Sequence, residues 1–303
     1  MMKSINQFLK RPEETNEMYR DLLQHPQVVP FLQQYHQVID LRLLPRFVSD
    51  LNEYITQVSK CQNCLSINQC KQPVKGHFPT LEPKYQQLKL VYTPCQLQRN
   101  QEHLANIKSF HMPIDYLSAS FDTFIFEPER YEAHEKAAQF IHEYLTTGHS
   151  KGLYLYGAFG TGKTFLLSAI ANELSKQGKV CGMVYFPELI AEIKAGFNQE
   201  GSSAYSKIEQ LKSIDVLMID DIGSESMTSW MRDEVLGRIL NYRMHQNLPT
   251  FFSSNFNYEH LKHHYSYTQK GEAEEIKGAR IIERIKALSI PVAMMGTNYR
   301  ERQ

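Results

Sequence analysis

The eight residues Gly157–Thr164, "GAFGTGKT", constrain this chain more than any other stretch. They fit G-x-x-x-x-G-K-[ST] without a mismatch, between an apolar run, "GLYLY", and a helical one, "FLLSAIANEL". In a turn from strand to helix, small residues let successive backbone N–H groups curl around phosphates. Lys163 then reaches the β- and γ-phosphates, Thr164 offers a hydroxyl to Mg²⁺, and the helix adds its positive end. Gly157, Ala158, Phe159, Gly160, Thr161, Gly162, Lys163 and Thr164 are therefore read as a nucleoside triphosphate site, with ATP and Mg²⁺ as cofactors.

The loop follows a strand and opens a helix, and an α/β fold is expected around it. From Phe121 onward, amphipathic helices alternate with the short apolar runs "GLYLYG", "VCGMVYF", "DVLMIDD" and "PTFFSSN". That alternation predicts a parallel sheet flanked by helices. "VLMIDD" ends in two carboxylates, Asp220 placed for Mg²⁺ and Asp221 for orienting the attacking water. "LPTFFSSNF" ends in Asn255, a side chain that can hydrogen-bond the γ-phosphate or the water. In "KGARIIERIKAL", Arg280 and Arg284 stand four apart on one helix face. The plain reading is a solvated basic stripe; the sharper one is an arginine finger reaching a neighbouring subunit's γ-phosphate. "NYRERQ" offers Arg300 as a further phosphate sensor.

At 303 residues there is room for a second domain ahead of this one, and the boundary is expected near residues 100–115. Leu44, Val48, Leu51, Ile55 and Val58 fall on one helix face, and Pro26 is placed to start a short helix carrying Val28, Val29 and Leu32. Residues 59–97 are turn-rich, with "YQQLKLVYTPC" alternating as a strand, and "QLQRNQEHLANIKSF" reads as a helical connector. Four of the five cysteines lie between Cys61 and Cys95. Cys61-x-x-Cys64, Cys70, His77 and Cys95 give five candidates for a tetrahedral, structural Zn²⁺ site. Cys61, Cys64 and Cys95 are the firm members; the fourth ligand is Cys70 or His77. Cys181 opens an apolar run and is read as a core residue.

Net charge excludes a general basic nucleic-acid binder: it is formally zero, with 13 Lys and Arg against 9 Asp and Glu in residues 1–110 and 20 against 24 in the remainder. The polar N-terminus and the lack of a long apolar run point to the cytoplasm and away from a membrane.

Together, "GLYLYGAFGTGKTFLLSAIANEL", "VLMIDDIG", "TFFSSNF" and "ARIIERI" resemble the AAA+ ATPases of the DnaC/DnaI-like helicase-loader branch. The resemblance spans residues 115–303 closely and 1–110 loosely. It implies an AAA+ P-loop domain at 115–303, preceded by a small helical, zinc-binding, helicase-interaction domain at 1–110. It implies an ATP-dependent loader that binds a hexameric replicative DNA helicase through the N-terminal domain and delivers it to single-stranded DNA during primosome assembly. By the same resemblance Lys163 and Thr164 match the Walker A pair, Asp220 and Asp221 the Walker B pair, and Asn255 sensor 1. Arg284 matches the finger, with Arg280 beside it, and Arg300 matches sensor 2. An added helix facing single-stranded DNA is implied within "PELIAEIKAGFNQEGSSAYSKIEQL", where Lys194, Phe197, Tyr205 and Lys207 offer charge and stacking. Self-association through Arg284 follows as well.

The chain departs from many AAA+ proteins in having Asp-Asp, not Asp-Glu, at the Walker B end. Asp221 is one methylene short for holding a water, so slow basal ATP turnover is expected. The nearest rival function is a transposase helper acting on duplex DNA, which shares the core motifs but not the helical, cysteine-rich N-terminal segment. A small-molecule kinase has little use for a finger in trans. A pure adaptor with structural nucleotide predicts that Lys163→Ala changes nothing.

Overall fold

In a computed structural model, the chain divides into two compact units, Met1–Gln101 and Glu102–Gln303. The structure describes residues 17–35, 37–39, 45–84, 87–112, 116, 119–196, 203–226, 228–267 and 274–299.

In the first unit, helices α1 (Glu17–Gln24), α2 (Val29–Tyr35) and α3 (Val48–Ser59) pack with an antiparallel hairpin of β1 (His77–Lys84) and β2 (Gln87–Pro94). The face expected from spacing is the buried one. Leu51 and Val58 are in the core, Val48 and Ile55 pack against it, and Val28 and Leu32 join from the α2 side. Leu44 lies outside the described residues. The strand expected in "QLKLVYTP" forms, and β1 is its partner; "HFPTLEPK", with two prolines, had given no strand signal.

Helix α4 (Gln96–Ala105) leads into β3 (Ile107–Phe110), the end of the stretch read as a helical connector. Those four residues form a sheet edge because β5 offers a parallel partner, Ile107 opposite Cys181. The second unit is a six-stranded parallel sheet in the order β3-β5-β6-β7-β4-β8. Its other strands are β4 (Gly152–Tyr156), β5 (Cys181–Tyr185), β6 (Val216–Asp220), β7 (Thr250–Ser254) and β8 (Ser289–Ala293).

Strands β4, β5, β6 and β7 are buried on successive residues because helices cover both faces, whereas Ile290 and Pro291 of the edge strand β8 are exposed. On one face, Leu153, Leu155, Val216, Met218 and Phe251 pack with α5 (Tyr131–Thr147) and α6 (Lys163–Lys176). On the other, Tyr154, Leu217, Ile219 and Phe252 meet α7 (Phe186–Gly196), α8 (Ser203–Ser213), α9 (Gly237–His245), α10 (Tyr258–Ser266) and α11 (Glu275–Leu288). A π-helical turn, Met231–Leu236, runs directly into α9. Cys181 is fully buried in the first of these cores, and burial pushes its thiol up to about 12.

The loop ahead of β6 is clamped by Arg243, which is wholly buried. Its guanidinium donates to Thr250 Oγ1 at 2.8 Å and to the carbonyls of Leu211, Ile214 and Pro249 at 3.1, 2.7 and 2.7 Å. No described helix is long and apolar enough to cross a membrane.

Candidate functional site

In an open parallel sheet, ligands bind beyond the carboxyl ends of the strands. The chain emerges there three times from the neighbouring strands β4, β7 and β6, carrying respectively the loop Gly157–Thr164, Asn255, and Asp220 with Asp221.

The loop is shaped by backbone that side chains resist. Gly157, Gly160 and Gly162 have φ of 153°, 73° and 90°, and a Cβ on Gly157 would fall 2.0 Å from the Met294 carbonyl oxygen. Within the loop Thr161 is buried and donates to the Ala158 carbonyl at 3.0 Å, whereas Phe159 is largely exposed. The Lys163 ammonium lies inside the loop, donating to the carbonyls of Gly157 at 2.9 Å and Ala158 at 2.7 Å, and to Asn255 Oδ1 at 3.0 Å.

Thr164 Oγ1 donates to both Asp220 oxygens, at 3.0 and 3.1 Å, and Ser253 Oγ donates to Oδ1. Burial nevertheless dominates the Asp220 carboxyl. Its pKa is pushed up to about 6; the two hydroxyls and Lys163 oppose the shift, and the nearby Asp221 adds to it. A buried carboxylate beside a threonine hydroxyl, with only hydroxyl donors on its oxygens, can hold a divalent cation.

Asp221 adopts φ 60°, left-handed backbone that Asp tolerates better than most residues. Its N–H donates to Ser253 Oγ at 2.9 Å, the next N–H donates to the Ser253 carbonyl at 2.9 Å, and its carboxylate accepts from Asn255 Nδ2 at 3.2 Å. Ser253, Asn255 and this turn therefore fix where the second carboxylate points. Sequence reasoning missed Ser253, which reads as one more strand residue. It also missed Tyr185, at the end of β5, whose hydroxyl lies against Asp221 and whose pKa rises through burial and then both carboxylates.

A cavity of about 340 Å³ opens beside the loop, lined by Thr123, Phe124, Ile125, Arg130, Gly162, Phe165 and Tyr299. Its size suits a small-molecule ligand group. Arg130, only 3% exposed, donates to the Thr297 carbonyl at 3.2 Å. No motif in the sequence marks it.

The remaining expected residues are placed less tightly. Arg284 is half-buried on α11 and donates to the Gly237 carbonyl of its own chain at 3.1 Å; burial, then Arg280, lower its guanidinium pKa. Arg280 is exposed. Lys207 is paired to Glu192, which also contacts His111 at 2.8 Å, and Lys194 donates to the Ser226 carbonyl at 2.7 Å. Tyr205 is exposed. Arg300 and Phe197 lie outside the described residues.

In the first unit, Cys61, Cys64, Cys70 and Cys95 are free thiols, all part-exposed. Cys61 accepts from Gln72 Nε2 at 3.1 Å. Its pKa is raised by burial first and then by the neighbouring Cys70, Cys64 and Cys95. Cys70 Sγ accepts from the Gly76 N–H at 3.4 Å, and the Gly76 carbonyl accepts from the Cys95 N–H at 2.8 Å. His77 Nδ1 faces the Lys75 carbonyl at 2.9 Å. Among the described residues no group of three or more His, Cys, Asp or Glu is arranged to hold a metal ion, so the expected zinc site is not assembled here. The sulfurs instead have local partners, Cys64 Sγ donating to the Ser66 carbonyl at 3.5 Å.

Comparison with known proteins adds three findings. Residues 2–92 match the family model for the N-terminus of primosomal protein DnaI, and residues 117–265 match that for the bacterial DnaA ATPase domain. The replicative helicase loader DnaI of Bacillus subtilis (strain 168) is 40% identical over 97% of this chain and 94% of its own length, and the replicative helicase loader DnaC of Escherichia coli (strain K12) is 27% identical over 61% and 70%. A crystal structure of DnaI superposes with a TM-score of 0.56 at 43% identity, over 65% of this chain and 98% of that one.

Proposed function

Because the chain belongs to the DnaI family of replicative helicase loaders, we propose that it binds the replicative helicase and loads it on single-stranded DNA with ATP as its cofactor. The observation that carries this reading is the joining, in one chain, of an N-terminal unit of the DnaI type with a complete P-loop edge. A transposase helper accounts for the P-loop edge but not for that N-terminal unit.

The loop Gly157–Thr164 holds the triphosphate, and the cavity walled by Thr123, Phe124, Phe165 and Arg130 takes the base and ribose. Lys163 leaves the Gly157 and Ala158 carbonyls for the β- and γ-phosphates, and backbone N–H groups of the loop donate to the phosphate oxygens. Thr164 and Asp220 hold Mg²⁺, which when bound neutralises charge on the phosphates. Asp221, aimed by Asn255, orients the attacking water, and its short side chain keeps basal hydrolysis slow. Arg284 leaves Gly237 to act on a neighbouring subunit's nucleotide, with Arg280 beside it and Arg300 as a further sensor.

The first unit carries the helicase contact and a structural zinc ion held by Cys61, Cys64 and Cys95 with Cys70 or His77. Supporting this reading, Cys70, Cys64 and Cys95 all lie near enough to Cys61 to act on its thiol, so that metal could draw the four sulfurs together. Single-stranded DNA passes along α7 and α8, where Tyr205 is the accessible stacking group.

The test is helicase loading on circular single-stranded DNA, with the full-length protein and the cognate helicase. Wild type should leave helicase on the circle with ATP present, and Lys163→Ala should still bind helicase but fail to load it. Loading by Lys163→Ala at the wild-type rate would sink the ATP-dependent reading.

A further inference from the structure

Close to its C-terminal end the chain is fastened across the nucleotide site. The Tyr299 N–H donates to the Gly160 carbonyl, at the tip of the phosphate loop, at 3.0 Å. Asn298 lies over the same glycine, so closely that a Cβ there would fall 1.6 Å from its Oδ1. One residue earlier, the Thr297 carbonyl accepts from Arg130 Nη2 at 3.2 Å, and its hydroxyl contacts Glu127 Oε1 at 3.3 Å. Gly296 makes the turn into this segment at φ 107°. The Tyr299 ring then packs on the Arg130 guanidinium, 3.9 Å from ring centre to carbon. Tyr299 first, and then Thr297 and Arg130, hold the nearby Glu127 carboxyl below its ordinary range.

Chain ends are usually loose unless something ties them down. Here the ties are to the phosphate loop and to Glu127 and Arg130, just ahead of α5, and Tyr299 forms one wall of the 340 Å³ cavity. We infer that the strap Gly296–Tyr299 is the outer wall of the base site, and that the Tyr299 ring, backed by Arg130, is a binding residue for the base of a purine nucleotide. The inference rests on reading that cavity as the base site. A flat aromatic ring with a cation on one face is suited to stacking against a heteroaromatic base. The backbone tie to Gly160 makes the wall part of the phosphate loop, so base and triphosphate are gripped by connected structure.

The strap is tested by calorimetric titration of the full-length protein with Mg-ATP and, separately, with Mg-tripolyphosphate, which has no base. Tyr299→Leu keeps apolar bulk on Arg130 but removes the aromatic face. It should weaken ATP binding about tenfold, the scale of one lost stacking contact, and leave tripolyphosphate unchanged. Tyr299→Phe should bind both within about twofold of wild type, which also shows that the strap folds without the hydroxyl. Wild-type ATP affinity in Tyr299→Leu, or equal losses for ATP and tripolyphosphate, overturns the inference. Thr123→Trp, which fills the cavity from another wall, separates the two readings. If it spares ATP binding, the base-site assignment itself fails. If it abolishes ATP binding while Tyr299→Leu does not, only the strap inference fails.

Discussion

Asn255 joins Lys163 to the second carboxylate of the site: its Oδ1 accepts from the lysine at 3.0 Å while its Nδ2 donates to Asp221 at 3.2 Å. One short side chain just past β7 thus touches both Lys163, proposed to bind phosphate, and Asp221, proposed to orient water. Asn255→Ala removes the orientation of Asp221 without touching the loop backbone. ATP binding should stay within about threefold, while turnover in the presence of helicase and single-stranded DNA should fall at least tenfold, the scale of a lost orienting group. Equal losses in binding and turnover, measured by titration and steady-state hydrolysis, would show that Asn255 serves the loop instead.

Asp220 sets a pH dependence. Its folded-state pKa, about 6, lies above the ordinary 3.8, so the folded state holds the proton more tightly. The stability this contributes is full below 3.8 and is lost as pH rises through 6. In metal-free protein, Asp220→Asn should therefore be the more stable form at pH 7.5, by roughly 2–3 kcal/mol. The gain should shrink towards pH 4. Thermal melts in chelator at both pH values check this; a difference constant across pH removes protonation as its cause.

Arg243 should dominate the stability of the second unit. Arg243→Ala removes the donor to the buried Thr250 hydroxyl and to the Leu211 and Ile214 carbonyls, and opens a cavity, so a loss above about 3 kcal/mol is expected. Arg243→Lys should recover less than half of it, since an ammonium cannot span that fan of acceptors. Denaturant melts followed by tryptophan fluorescence provide the measurement, because the chain's one tryptophan, Trp230, packs against the core on that face.

Arg284 lies half-buried, its guanidinium on the Gly237 carbonyl, so a role in trans requires it to leave that contact. Arg284→Ala should bind nucleotide as wild type does and lose the turnover stimulated by DNA or helicase, by a factor within the roughly 10³–10⁵ range known for fingers. Normal stimulated turnover in that variant would remove the assignment.

Zinc is tested by elemental analysis of freshly purified protein, then by circular dichroism after chelation. One equivalent should be present, and its removal should unfold the first unit while ATP binding by the second persists. Metal-free protein with the same spectrum would show that the hairpin and α3 core, with Leu51, Val58 and Leu81, suffices without it.

The nucleotide loop was legible because its chemistry is local: three glycines, a lysine and a threonine within eight residues dictate a phosphate cradle wherever strand and helix flank them. The four sheet strands around it were equally plain, as short runs with an apolar centre, buried on both faces, have few other places to go. The strand Ile107–Phe110 was not, since four mixed residues become an edge only when β5 offers a partner. The cysteine spacing suggested a zinc site, yet spacing does not fix where the sulfurs point, and here their contacts are to Gln72 and Gly76.

What the sequence determined by itself was therefore the fold class, the phosphate-binding loop and the family. Tertiary structure alone decided that Asp221 takes left-handed backbone under Ser253, that Asn255 joins it to Lys163, that Arg284 faces Gly237, and that Tyr299 closes a cavity with Arg130. Each of these relations, apart from the Asp221 turn itself, joins residues at least 32 positions apart. Only packing around a shared sheet edge brings such partners within hydrogen-bonding distance, and no local propensity encodes it.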